Sequence, residues 1–233
     1  MNADNVIKVP ANLICDKALD SKRVIAFASI IASGWQGSDY EKLARFSLYS
    51  GRRGKDSVTN QYKQLVQHFL DYGYLKQMDG GRFYTEQTER FGIIYYSEFQ
   101  SILSFKEECK STCRKFNHAY ALLLLAHLRS HMDYRGSKPV FYANLLSHIS
   151  KDTGLSVRSI SSCLVALEEI GIIHSEELPR HREGNGCWHS NLKVFVNMML
   201  RGEEIYDWQK ETIRSIKWLR THKTINKEER HGQ

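Results

Sequence analysis

The chain has 233 residues, 42% of them hydrophobic and 25% charged, so it can bury a sizeable core, and its length admits one or two domains. Its formal charge of +7 suits a polyanionic partner, because each phosphate neutralised by Lys or Arg releases counterions. Five cysteines without a paired framework, an apolar run (AYALLLLAHL) too short to span a bilayer, and an N-terminus without a basic region leading a long apolar core predict a cytoplasmic protein with no membrane partner and no signal peptide.

The chain opens on an extended segment containing IKVP, where the proline disfavours helix in the residue before it. Residues 21–33 are apolar at helical spacing, with Val24, Ile25, Phe27, Ala28 and Ile31 expected to pack inward. SDYEKLARFSL predicts a second short helix capped by Ser38 or Asp39. The run YSGRRGKDS then breaks the pattern with two glycines and three basic residues, and reads as a turn in which Arg52, Arg53 and Lys55 face phosphate. It is not a nucleotide-binding glycine loop, since its spacing and following residues are wrong for one. A longer amphipathic helix over 56–72 follows, burying Val58, Tyr62, Leu65, Val66 and Phe69 and leaving Asn60, Lys63, Gln64 and Gln67 outward. Asn60 and Gln64 have the groups that pair with adenine, and Lys63 suits a phosphate. YLKQM, a DGG turn and RFYTE predict a β-hairpin with Arg82 as its only basic tip residue.

FGIIYYSEFQSILSF reads as a strand and a short helix packed against one of the two winged helices, and the charged stretch after it places a boundary near residue 111. The predicted helix over 117–131, apolar nearly all round, is expected to be the most buried of the second unit, and KPVFY a short strand. Residues 147–197 carry the strongest pattern: a helix ending at Gly154, a tight turn, a helix stopping at Gly171, the β-rich run IIHSEEL, a polar loop and the strand-like LKVFVN. Gly154 tolerates the positive φ that two steeply crossing helices need, and Ser156 is placed to cap the second helix. Val157, Ile160, Leu164 and Leu167 form one apolar stripe, expected to face a core. Arg158 and Ser162 lie opposite it, flanked by Ser159, Ser161 and Val165. Small polar residues around one arginine let a helix approach base-pair edges, where a guanidinium pairs bidentately with guanine. The loop LPRHREGNGCWHSN adds Arg180, His181 and Arg182, a basic wing able to follow a groove or the phosphate backbone.

The order of elements in the first unit matches that around Gly154: sliding one over the other sets Tyr62 on Ile160, Val66 on Leu164 and Phe69 on Leu167. Such a repeat argues for duplicated units. The expected fold is mainly α with small β-hairpin wings, as two tandem winged helix-turn-helix domains over 1–110 and 111–200, with an amphipathic helix and basic tail over 201–233. The last helix carries Trp208 and Trp218 in an apolar stripe suited to its own domain or to a second subunit, so a homodimer is among the expected partners.

Catalytic signatures are lacking: the serines and histidines form no elbow or acid-base motif, and no enzyme activity is expected. Cys109 and Cys113 with His127 and His131 are the residue types a metal would use, and histidines at i and i+4 share a helix face. The cysteine step falls in a charged stretch and the histidines on a helix needed for packing, so no metal or cofactor is expected. Cys15, Cys163 and Cys187 read as structural.

The opening IKVPANLICDKALDSKRVIAFASII and both helix-turn-helix segments resemble winged-helix proteins of bacterial phages and plasmids, among them tandem winged-helix replication initiators and replisome organisers. The resemblance implies sequence-specific binding of double-stranded DNA at repeated origin sites, a monomer–dimer switch, and host replication proteins as partners. ISKDTGLSVRSISSCLVALEEIGII is equally what many transcription regulators contain, so a regulator of similar architecture is the alternative, with a winged-helix protein–protein interaction module as a third reading.

Overall fold

Alternating burial organises the first strand, β1 (Val6–Pro10), whose Ile7 and Val9 point inward and whose Pro10 ends it, leading into a single helical turn, α1 (Ala11–Ile14). The computed structural model describes residues 6–37, 39–46, 55–78, 82–85, 90–105, 116–132, 142–177, 181–182, 188–189 and 193–197. Helix α2 (Arg23–Ser33) is buried through its first two turns, and α3 (Tyr40–Phe46) is capped by Asp39, whose carboxylate accepts from the Lys42 amide at 2.8 Å. Helix α4 (Lys55–Asp71) buries Tyr62, Val66 and Phe69, with Phe69 edge-on to Phe27 at 5.8 Å. The short strands β2 (Lys76–Gln77) and β3 (Phe83–Tyr84) pair antiparallel, so the expected first hairpin is present.

The next strand, β4 (Phe91–Tyr95), returns to pair along the whole of β1, and α5 (Tyr96–Ser104) follows it directly. The strand and short helix expected between the two units therefore form, and the strand closes on the N-terminal segment of the chain. Beyond them comes α6 (His118–Ser130), capped by Asn117, whose side chain accepts from the Ala119 and Tyr120 amides. As its composition predicts, α6 is buried on nearly every side: Ala121 to Leu128 have almost no exposed surface. It packs against α1, α2, β4, α5 and two later helices, α7 (Leu146–Thr153) and α8 (Val157–Glu169). The buried apolar residues, from Ile7 to Ile173, form one contiguous cluster with α6 at its centre.

Around α7 and α8 lies a three-stranded antiparallel sheet made of β5 (Tyr142–Asn144), β6 (Ile173–Glu177) and a last strand, β9 (Lys193–Asn197), in the order β5-β9-β6. Within the long loop between β6 and β9, β7 (His181–Arg182) pairs with β8 (Trp188–His189). The fold is thus mainly helical with small antiparallel sheets. Among the described residues no helix is long and apolar enough to cross a membrane. The predicted boundary near residue 111 and the predicted helix past residue 200 lie outside the described residues.

Two buried arginines hold the halves of this core together. Arg129 on α6 makes a bidentate pair with Glu98 on α5, Nη1 to Oε2 at 2.5 Å and Nη2 to Oε1 at 2.6 Å, and also donates to the Ile93 carbonyl on β4 at 2.9 Å. Arg23 on α2 donates to the carbonyls of Leu13, Ile14 and Asp20, and reaches 130 residues along the chain to the carbonyl of Thr153 at the end of α7. Burial pulls the Arg23 pKa below its ordinary value, a trend that Asp16, Cys15 and Asp20 oppose. Carbonyl oxygens satisfy the guanidinium where no water reaches it.

Gly92 shows how closely β4 approaches α6. A Cβ at this position would lie 2.2 Å from the Ala126 carbonyl oxygen and 2.8 Å from its carbon, and both neighbours are backbone. Gly92→Ala is therefore expected to lower the unfolding free energy by about 3 kcal/mol, read from the denaturant midpoint. An unchanged midpoint would mean that strand and helix are not held in this contact.

Candidate nucleic-acid interface

The helix-turn-helix around Gly154 is fixed by local hydrogen bonds. Gly154 adopts φ of 76°, ending α7, and the Thr153 hydroxyl donates to the Ile149 carbonyl at 2.7 Å while accepting from the Leu155 amide at 3.2 Å. Ser150 donates to the Leu155 carbonyl at 2.6 Å, and Leu155 is buried from within the turn. Ser156 then caps α8, its hydroxyl oxygen accepting from the Ser159 amide at 3.1 Å and lying 2.8 Å from the Ser159 hydroxyl.

From this start α8 divides as expected along most of its length, with Ile160, Leu164 and Leu167 buried beside Cys163. Val157 departs from the expectation. It is 44% exposed although it continues the apolar stripe, because it sits in the first turn, where Leu155 is the side chain that enters the core. With Val165 at 55% exposure it places two apolar side chains on the outer face, alongside exposed Arg158 and Ser162. Among the described residues Arg158 is paired with no acid. Ser161 and Ser162 donate back to the Val157 and Arg158 carbonyls at 3.0 and 3.1 Å, so their hydroxyl protons are engaged and their oxygens remain as acceptors. The outer face of α8 therefore offers one guanidinium donor, hydroxyl acceptors and two branched methyl-bearing side chains. Such a set matches the donors, acceptors and thymine methyl groups on base-pair edges in the major groove.

The corresponding face of α4 has Asn60, Lys63 and Gln64 exposed, as expected. Lys63 lies over the Tyr40 ring of α3 at 5.7 Å, and Gln67 is tied to Asp71 at 2.8 Å, so Asn60 and Gln64 are the amides left for a partner on this face. The far end of α4 is anchored at Asp16, which accepts from the Tyr74 hydroxyl at 3.0 Å and lies 3.0 Å from His68 Nε2. Burial, with the hydrogen bond to Asp16, pushes the Tyr74 phenol up to about 12. Tyr72, 64% exposed, stacks on His68 at 4.1 Å, an aromatic surface that sequence reading did not single out.

The remaining expected contacts fall mostly at the margins. Arg82 is exposed beside β3, where its carbonyl accepts from the Met78 amide. Lys55 begins α4 and Arg182 stands opposite Trp188 in the β7–β8 pair, but their side chains lie outside the described residues, as do Arg52, Arg53 and Arg180 altogether. Of the residues read as structural cysteines, Cys163 is buried, Cys15 is exposed, and Cys187 lies outside the described residues.

Because the cap at Ser156 sets where α8 begins, Ser156→Ala is expected to cost about 1 kcal/mol in equilibrium unfolding. A variant as stable as the parent would show that the turn is held without it.

Comparison with protein families, with curated proteins and with solved structures finds no match to this chain, so the reading of this surface rests on its own geometry.

Proposed function

We propose that the chain is a non-enzymatic, sequence-specific double-stranded DNA-binding protein with two tandem winged helix-turn-helix units, acting as a replication initiator of a plasmid or phage-like element. The observation that carries the DNA reading is the outer face of α8. A capped helix after a positive-φ turn presents Arg158, Ser162, Val157 and Val165 outward, next to a sheet whose β6–β9 connection carries the basic loop. The tandem reading is supported by the order α6, β5, α7, α8, β6, β9, which suits a helix-turn-helix with a wing, and by α2, α3, α4, β2, β3, a similar run of helices and hairpin without the first strand. The formal charge of +7 supplies the sequence-independent part of the affinity. The initiator role follows from the resemblance of the opening segment and the duplicated units to plasmid and phage proteins.

In this reading α8 enters the major groove, Arg158 takes guanine, and the valines meet thymine methyls. Asn60 and Gln64 on α4 read a second half of the site, Lys63 and Arg82 hold backbone phosphate, and Arg52, Arg53, Lys55, Arg180 and Arg182 extend the phosphate contacts. A binding selection on genome fragments with the full chain is expected to enrich an iterated motif near an origin. Arg158→Ala should weaken that binding by about tenfold to a hundredfold and relax preference at one base pair, while binding to unrelated DNA at low salt changes little. A single palindromic site beside a promoter would favour a transcription regulator. Equal affinity for all fragments, or a preference untouched in the variant, would contradict reading by α8.

A further inference from the structure

We propose that His127, His131 and Asp152 form a zinc site at the joint between α6 and α7. The three offer ligand atoms that all lie within 4.8 Å of one another. His127 and His131 are one turn apart on α6, with ring centroids 4.5 Å apart, and Asp152 comes from the last turn of α7. His127 Nε2 and Asp152 Oδ2 are 3.9 Å apart, too long for a hydrogen bond. Zinc held tetrahedrally at about 2.0–2.1 Å from nitrogen and oxygen sets neighbouring donors roughly 3.3 Å apart. Separations of up to 4.8 Å shorten when an ion is held, and Asp152, whose side chain is 41% exposed, has freedom to move toward the histidines.

The orientation of the second imidazole fits the same use. His131 Nδ1 lies 2.9 Å from the His127 carbonyl oxygen, a contact that fixes the orientation of this ring, as carbonyl contacts orient metal-binding imidazoles. Two imidazoles and one carboxylate suit zinc, whereas calcium and magnesium select oxygen-only sets. Three protein ligands leave a fourth position for water. Arg90 acts on both rings and opposes a further positive charge; the Asp152 carboxylate counters it, and the Arg90 side chain is itself fixed by donating to the Ser130 carbonyl at 2.7 Å. An ion here would fasten α7, one residue before the Thr153 carbonyl that Arg23 holds, onto the central helix. The site uses neither Cys109 nor Cys113, which lie outside the described residues, and it does not depend on the DNA reading.

The full chain, stripped by chelation, is titrated with Zn(II) against a chromophoric competitor and with Co(II) as an optical probe, and its thermal unfolding is followed with and without Zn(II). One zinc per chain is expected, with a raised melting temperature and a Co(II) spectrum lacking a thiolate charge-transfer band. Asp152→Asn and His131→Gln, both at partly exposed side chains, are expected to weaken binding more than about tenfold and to remove the melting shift, while metal-free melting stays near that of the parent. The paired Cys109→Ser and Cys113→Ser change is expected to leave binding intact. Absence of stoichiometric binding, binding unaffected in Asp152→Asn and His131→Gln, or a thiolate band lost with the cysteines would each overturn the site.

Discussion

The buried ion pair between Arg129 and Glu98 is the interaction on which the rest of the arrangement depends. Arg129 has no exposed surface and Glu98 only 1%, so neither charge can fall back on water. Removing one partner would leave an uncompensated buried charge, a loss of about 3–5 kcal/mol. The geometry answers that cost with two parallel hydrogen bonds and with partners for the remaining polar atoms: Glu98 Oε2 also accepts from the Tyr95 amide, and Arg129 also donates to Ile93. The Tyr95 ring lies 5.6 Å from the guanidinium carbon. A charge pair of this kind specifies one docking of α6 against β4 and α5, where an all-apolar contact would tolerate sliding. Gly92 then permits the strand to press against the helix backbone.

Arg23 extends the same logic to the other side of α6. Its fan of carbonyl acceptors joins the end of α1, the turn before α2, and the last residue of α7. Through Thr153 it reaches the residue that shapes the turn into α8, so the exposed face of α8 is referred back to the first forty residues of the chain by one side chain. The helices proposed to read DNA are thereby built on one core, not on separate supports joined by a linker. The spacing between α4 and α8 is then a property of the fold, and under the proposed function a target site with fixed half-site spacing is its counterpart.

Periodicity made much of this legible. The apolar stripe of α8, the all-round burial of α6, the cap at Ser156, the turn at Gly154 and the hairpin of β2 and β3 each follow from patterns a few residues long. Burial of Arg23 and Arg129 was not legible, because an arginine within an apolar helix can equally well extend its stem and keep its head in water. What decides the matter is a partner far along the chain, Glu98 in one case and a ring of carbonyls in the other. Val157 misled for a related reason, since a stripe gives direction around a helix axis but not where the core ends along it. The pairing of β5 with β9, and of β1 with β4, joins segments too distant for any local signal. The grouping of His127 and His131 with Asp152 is another contact that only the packing of α7 on α6 creates.

The central claim is that α6 makes the helices packed on either side of it one cooperative body. Native-state hydrogen exchange in graded denaturant tests it most directly, by following amides of α2, α6 and α8 in the same experiment. The account predicts that all three helices lose protection through one shared opening, at the same free energy and with the same denaturant dependence. Opening of α8 at lower denaturant, with α2 still protected, would contradict it and return the chain to two units that fold apart.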